Sequence, residues 1–304
     1  EEAQQPNSQQ QRDSDGQHGG DSGKATAAPV PGQGETLREF RLTSGRGDWY
    51  VLLPMKRVVR IRTLALVVLL SAGAASALAA DAVEEGRRLL AEATDGFFDQ
   101  SVTSPGLREL LEQSRAAFAQ VEDLADRRYW QAEVEYLLGF VEQADERRPR
   151  AEQRFAAGRE LLLASLAERE SSRAYRLLAD TYAQLLILNG LLYKMSYGPK
   201  VRELAELALR LDPQNVKARL TLALFYKNAP AIAGGSLARS LRLLHQLEGA
   251  KDLERADRFS LNAWLGIAYS ESRRPVEARR YLMQAQQVYP GNAWMRDLLA
   301  GLDA

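Results

Sequence analysis

Residues Phe259–Pro290 read FSLNAWLGIAYSESRRPVEARRYLMQAQQVYP, and their spacing decides the fold. Leu265 and Gly266 are adjacent, Tyr269 follows, and Ala278, Leu282, Ala285 and Pro290 complete the set. On a helix Leu265 and Tyr269 share a face, and the glycine between them removes the side chain that would hold a second helix away. Small residues at Ala278 and Ala285 are expected to bring the antiparallel partner close against Gly266. Arg274 and Pro275 supply the turn, because proline is tolerated in the first turn of a helix, and Pro290 ends the second helix. The expected unit is a helical hairpin made to stack on others like it.

The spacing recurs upstream. Ala132–Leu163 holds Leu138-Gly139, Ala151, Phe155 and Gly158, with Glu142 where the last unit has Tyr269. Tyr175, Leu178, Ala179 and Tyr182 repeat the first-helix pattern, and Ala205, Ala208 and Pro213 the second, with an insertion between them in LLILNGLLYKMSYGPK. A further unit has Leu222, Ala223 and Tyr226, then Ser240, Leu244 and Leu247, with its extra residues in the turn NAPAIAGG. A short closing helix is expected near Asn292–Leu302. These make four hairpins, enough to share a continuous core. Upstream, Val83–Ala93 is amphipathic, Thr94–Ser104 is expected to break it, and Ser104-Pro105 should start a helix running to Val121. The reading is N-terminal helices over residues 80–130 and a repeat domain over 131–304.

Over Ala132–Pro290 this pattern resembles the tetratricopeptide repeat. The resemblance implies an all-α, right-handed solenoid of antiparallel hairpins whose first helices line a concave groove, and stacked repeats of this kind are usually binding surfaces. A narrower likeness rests on Ala229-Pro230 followed by Gly234-Gly235, after a long mid-chain hairpin ending Leu211-Asp212-Pro213. It is similar to exported bacterial repeat proteins, including the TatT component of TRAP-type transporters, but lacks their lipoprotein cysteine.

Cysteine is absent, which removes disulfides, thiolate metal sites and a cysteine nucleophile, and the two histidines are His18 and His245. Net charge is zero and no basic field points to nucleic acid. Residues 1–54 open with a Gln-, Gly-, Ser- and Asp-rich stretch that cannot bury enough surface to offset its ordering entropy, and are expected to be a disordered extension. Within them Arg46-Gly47-Asp48 spells an adhesion tripeptide, a signal too short to carry a function. From Met55, MKRVVRIR is followed by an apolar run over Leu64–Ala80 containing Ala77-Leu78-Ala79. That order of basic, apolar and small residues reads as a signal peptide over 55–79, cleaved to leave Ala80 first; a retained single-pass anchor over 63–80 is the alternative. Translation from Met55 would leave the first 54 residues outside the native protein.

Gly234-Gly235 at a helix start suits a phosphate cradle, yet no lysine-serine follows and no strand precedes it, so glycines that lengthen a turn are the simpler reading. His245, flanked by Leu244 and Leu247, reads as a packed structural residue. The stretch Tyr193–Lys200 is expected to be a loop, with Tyr193, Lys194 and Tyr197 offering contact area for recognition or pinning the loop to its own hairpin. By register, the groove face carries Phe140, Asp180, Leu224, Lys227, Asn228, Ile267 and Glu271. The function expected from the sequence is an exported, periplasmic scaffold that binds a protein or peptide in its groove. One alternative is a TatT-like transporter accessory with a closed pocket for a small amphipathic solute; the other, an envelope enzyme, would require clustered acids that the sequence does not show. No catalytic set, metal site or cofactor is expected, nor an enzyme.

Overall fold

The computed structural model describes residues 37–43, 48–54, 81–250 and 253–302. The chain divides into two units, residues 1–68 and 69–304, each taken by itself. The rest of the expected extension, Arg46-Gly47 and the segment 55–79 with its expected cleavage site lie outside the described residues. In the first unit, β1 (Leu37–Thr43) pairs antiparallel with β2 (Asp48–Pro54), Leu37 opposite Pro54 and Thr43 opposite Asp48. The expectation of a disordered extension is corrected over these residues. Both strands carry β-formers, and the SGRG between them supplies two turn glycines, a short-range hairpin signal outweighed in the reading by the composition around it.

The second unit is all-α. Its described part holds eleven α-helices: α1 (81–98), α2 (Ser104–Phe118), α3 (Leu124–Ala144), α4 (Arg148–Glu168), α5 (Ser172–Leu188), α6 (Leu191–Leu211), α7 (Val216–Asn228), α8 (Leu237–Leu247), α9 (Arg255–Glu271), α10 (Pro275–Val288) and α11 (Ala293–Gly301). The four expected hairpins are α3–α4, α5–α6, α7–α8 and α9–α10. Asp123, Ser171, Asn215 and Ser236 cap the helices that follow them, each side chain accepting from the backbone N–H three residues on.

One steric device recurs in the hairpins. A Cβ on Gly266 would lie 2.6 Å from Leu282 Cγ, and one on Gly139 2.5 Å from the Phe155 ring. The contact of Gly266 is therefore Leu282, a correction to the expected Ala278 and Ala285, which are buried on either side of it. A large side chain one turn along fills the notch left by the glycine, while the small residues bring the backbones together. The same device appears in α1–α2, where a Cβ on Gly86 would lie 2.5 Å from the Phe118 ring and the Ser114 hydroxyl donates to the Gly86 carbonyl at 2.8 Å. The entry helices are thus a fifth hairpin. Helix α1 runs through residue 98, past the break expected at Thr94, because Phe97 and Phe98 find aromatic partners in Phe140 and Phe259.

Three of the turns share one closure. Gln100, Glu146 and Arg273 adopt positive φ of 53°, 60° and 56°, and in each case the next residue's N–H reaches back over the helix end: Ser101 to Gly96 at 3.1 Å, Arg147 to Glu142 at 2.8 Å, Arg274 to Tyr269 at 3.0 Å. The α5–α6 hairpin departs from this pattern. Its insertion is helix rather than the expected loop: α6 starts at Leu191, so Tyr193, Lys194 and Tyr197 stand on its first two turns, with Pro199 inside the helix. LLYKM is a good helix-forming run, and this outweighs the glycine and proline that suggested a loop.

Contacts between successive hairpins rise in step, which makes α1, α3, α5, α7 and α9 parallel. Arg87 lies over Trp130 and Phe97 against Phe140; Arg173 pairs with Asp126 and Arg176 with Glu133; Asp180 meets Thr221; Lys217 pairs with Glu254 and Lys227 with Glu271. The solenoid then closes on itself. Phe98 packs on Tyr289 and Phe259, with ring centroids 5.6 and 5.1 Å away. The Tyr289 hydroxyl and Arg255 both donate to the Asp95 carboxylate. The Gly291 N–H donates to Asp99 at 2.8 Å, and the Asn292 side chain, which caps α11, donates to the Phe98 carbonyl at 2.7 Å. A Cβ on Gly291 would lie 1.9 Å from the Asp99 carbonyl oxygen, so glycine is required at this seam.

Gly266→Leu is expected to cost about 1–3 kcal/mol by overpacking against Leu282. Leu282→Ala alone should cost about 2–5 kcal/mol. In the double variant the two costs should sum to less than their total, since one change makes room for the other. Urea titrations of the four proteins measure the cycle, and strict additivity would refute the notch.

Candidate binding site

The five parallel helices α1, α3, α5, α7 and α9 turn their inner faces to a chamber of about 1120 Å³. Outside those helices, Asn215, Glu254 and Trp294 also line it. Polar and aromatic residues stand on these inner faces in place of the aliphatic ones that join each helix to its partner. The lining is divided along the helix axes. Toward the C-terminal halves it is mainly apolar and aromatic, with Phe97, Tyr136, Phe140, Ile187, Leu224, Trp264 and Trp294 interspersed with Gln143 and Gln184. Toward the N-terminal halves the charged groups gather, Arg87, Glu133, Arg173, Arg176, Lys217, Glu254 and Asp257, beside the rings of Tyr129 and Trp130.

Arg176 organises the charged part. Its side chain is 7% exposed. Its guanidinium donates to Glu133 at 2.9 Å, to the Tyr129 hydroxyl at 3.3 Å and to Asp180 at 3.3 Å. Asp180 in turn accepts from the Thr221 hydroxyl at 2.6 Å. Arg176 Nε is buried and has no hydrogen-bond partner. Burial works against the charge of Arg176, but the negative groups around it hold its pKa well above the ordinary value. Burial pushes the Asp180 and Asp257 carboxyls up and the Tyr129 and Tyr136 phenols up as well. Asp257 is the least compensated acid, its nearest cation being Lys217 Nζ at 4.0 Å. Arg173 stacks over the Tyr129 and Trp130 rings, 4.3 and 5.2 Å from their centroids.

Of the residues expected in the groove, Phe140, Asp180 and Leu224 line the chamber. Lys227, Asn228 and Glu271 form a separate polar contact: Lys227 Nζ donates to Glu271 at 2.7 Å and to Asn228 at 3.3 Å, and lies over the Trp264 ring. Ile267 packs against the core of the last hairpin. Tyr197 turns to its own hairpin, stacking on Tyr182 with centroids 5.5 Å apart, and Tyr193 packs between it and α4, its hydroxyl accepting from Arg159 at 3.5 Å, while Lys194 is exposed. His245 lies between Glu248 and the Tyr269 hydroxyl, a structural place, and Gly234 holds a left-handed φ of 90° in its turn. The reading from sequence missed Trp130, Glu133, Arg176, Lys217 and Trp264. They stand on the same inner faces as the residues it named, one to three turns nearer the helix starts, where register extended along each helix would have found them. Among the described residues no group of His, Asp and Glu is placed to hold a metal ion.

No protein-family model matches this chain, and no curated protein sequence matches it. Several solved structures of repeat proteins overlay on it. The tetratricopeptide-repeat protein TTC0263 of Thermus thermophilus does so with a TM-score of 0.46 at 18% identity, over 74% of this chain and 98% of that one. YrrB, described as a tetratricopeptide-repeat protein with an unusual peptide-binding site, gives 0.32 at 16% identity over 64% and 84%. MamA AMB-1 gives 0.30 at 18% identity over 72% and 97%. Overlays this loose say nothing about what this chain binds, and none of them supports the narrower likeness to TatT.

The Asp257 carboxyl gives a pH test of the charged end. Its folded pKa is raised above the ordinary 3.8, so its contribution to stability is full below that value and is lost as pH rises through the folded pKa. Asp257→Asn removes the penalty at neutral pH. The melting temperature of the variant minus that of the parent should therefore grow from pH 3.5 to pH 7, and a difference constant with pH would refute the burial argument.

Proposed function

We propose, taking the chain as a helical-repeat protein of tetratricopeptide type, that it binds one elongated amphipathic ligand inside its ring of first helices. The ligand's apolar body would lie in the aromatic half of the chamber and its polar head among the charged groups around Arg176. The observation that supports this reading is that one continuous lining gathers its charged groups toward the helix starts and its apolar and aromatic groups toward the helix ends. A chamber of about 1120 Å³ lies just above the range of ordinary ligand sites, about 300 to 1,000 Å³, and is too small for a folded domain. The seam between α1 and the last hairpin takes away the open ends that a groove for a folded protein partner would need. Of the readings drawn from sequence, this favours a pocket for an amphipathic solute over a groove for a protein or peptide. The role is one of binding and carriage, without chemistry on the ligand. On the order of basic, apolar and small residues in 55–79 alone, we also propose that it acts outside the cytoplasm of a bacterium.

A dansylated undecanoic acid is a suitable probe. The full chain is expected to bind it at micromolar concentration with a blue shift and enhancement of the dansyl emission. Leu224→Glu places a charge against the apolar half, on a half-buried side chain, and should weaken binding by about tenfold or more, because an unpaired buried charge costs well over the 1.4 kcal/mol that a factor of ten represents. Its far-ultraviolet circular dichroism should match the parent. Equal affinity of parent and variant, or no binding by the parent, would overturn the proposal.

A further inference from the structure

Ten large apolar side chains are exposed among the described residues, and four of them fall in one short stretch: Ile187, Leu191, Leu192 and Met195, at 60, 72, 82 and 69%. The stretch is where the α5–α6 hairpin outgrows its neighbours. Tyr193 and Tyr197, on the same two turns, face inward and stack, so the helix is apolar on its packed side and apolar again on its bare side. A solvated helix in a soluble protein carries polar residues on its outer face, and contiguous apolar exposure marks an interaction surface. Ile187 belongs to both places, exposed at the rim and lining the apolar half of the chamber.

We propose that the first two turns of α6, together with Ile187, seat this face of the ring on a phospholipid bilayer at the apolar end of the chamber. Three observations choose a lipid surface over other occupants. First, Lys194 and Lys200 border the apolar side chains; among the described residues Lys194 has no carboxylate partner, and Lys200 lies over the Tyr182 and Tyr197 rings. Cations beside an apolar tip match phosphate head groups above acyl chains. Second, four side chains fall well short of the ~800 Å² per partner that a stable protein interface buries. A shallow insertion of a few apolar residues is enough for reversible binding to a membrane. Third, the patch continues into the chamber through Ile187, so a lipid-like ligand could pass between bilayer and chamber without crossing water. Among the described residues no helix is long and apolar enough to cross a membrane, so the contact is a seating on the surface. The seating stands without the proposed ligand; only the passage into the chamber rests on that reading.

The test is co-sedimentation of the full chain with phosphatidylglycerol-rich vesicles and with phosphatidylcholine vesicles. Residues 64–80 are themselves apolar, so the readout is the difference between the parent and Leu191→Ser/Leu192→Ser. The double variant should lose roughly tenfold or more in partitioning, from two leucines kept out of the lipid. Lys194→Glu should weaken binding to the anionic vesicles and leave binding to phosphatidylcholine nearly unchanged. Both substitutions are exposed and should leave the melting temperature in place. Equal sedimentation of parent and double variant overturns the proposal. So does a concentration-dependent dimer in sedimentation velocity that the double variant abolishes, since the patch would then be an interface between copies. The two readings separate cleanly: Leu224→Glu should keep vesicle binding, and the double variant should keep dansyl-undecanoate binding in solution.

Discussion

Everything that makes the inner surface a chamber depends on the seam between the end of α1 and the residues around Tyr289. A stack of hairpins curves because each repeat is rotated slightly on the last, and such a stack ordinarily ends in two free faces that need polar caps. Here the two faces cover each other. Phe98 lies between Phe259 and Tyr289, and Asp95, Asp99 and the Phe98 carbonyl take up the donors of Tyr289, Arg255, Gly291 and Asn292. The seam is apolar at its centre and hydrogen-bonded at its edge, so closing it leaves little unsatisfied. The buried guanidinium of Arg176 can then exist without a bulk-water neighbour because Glu133 and Tyr129 are brought to it from α3 and Asp180 stands one turn along its own helix.

The sequence was readable where structure is local. The four hairpins, their turns at Asp145–Arg147 and Ser272–Arg274, and the buried series Ala278, Leu282 and Ala285 follow from residues within one repeat. The entry hairpin was less readable because the long turn after α1 displaces the spacing, Gly86 meeting Phe118 where Gly266 meets Leu282. The insertion was misread for a physical reason: glycine and proline at 198 and 199 signal a break, yet a proline can remain inside a helix whose preceding turns are already packed through Tyr193 and Tyr197. Closure was not readable at all. Its partners are separated by nearly two hundred positions, and nothing local distinguishes Asp95 or Asn292 from any other surface polar residue.

The site follows the same division. Register along α3, α5 and α7 led to Phe140, Asp180 and Leu224, three residues on the chamber wall. Extending the face to the helix ends led instead to Lys227, Asn228 and Glu271, which satisfy one another beside the wall. The residues that give the lining its two characters, Arg176 and Trp264 above all, were passed over because an arginine on a helix reads as solvated and a tryptophan as core. Their place on the wall is a property of the ring and of no single repeat.

Pro199 bears on how the molecule comes apart as well as on how it is built. With no N–H to return to the Met195 carbonyl, it leaves the first two turns of α6 joined to the remainder by one fewer hydrogen bond than their length implies. Those turns also hold most of the exposed apolar residues of the hairpin and only two inward-facing tyrosines. They form a segment whose opening free energy is set locally, well below that of the stacked core. The amides of residues 191–198 should thus exchange with solvent long before those of residues 201–211, within what is, by its backbone, one helix.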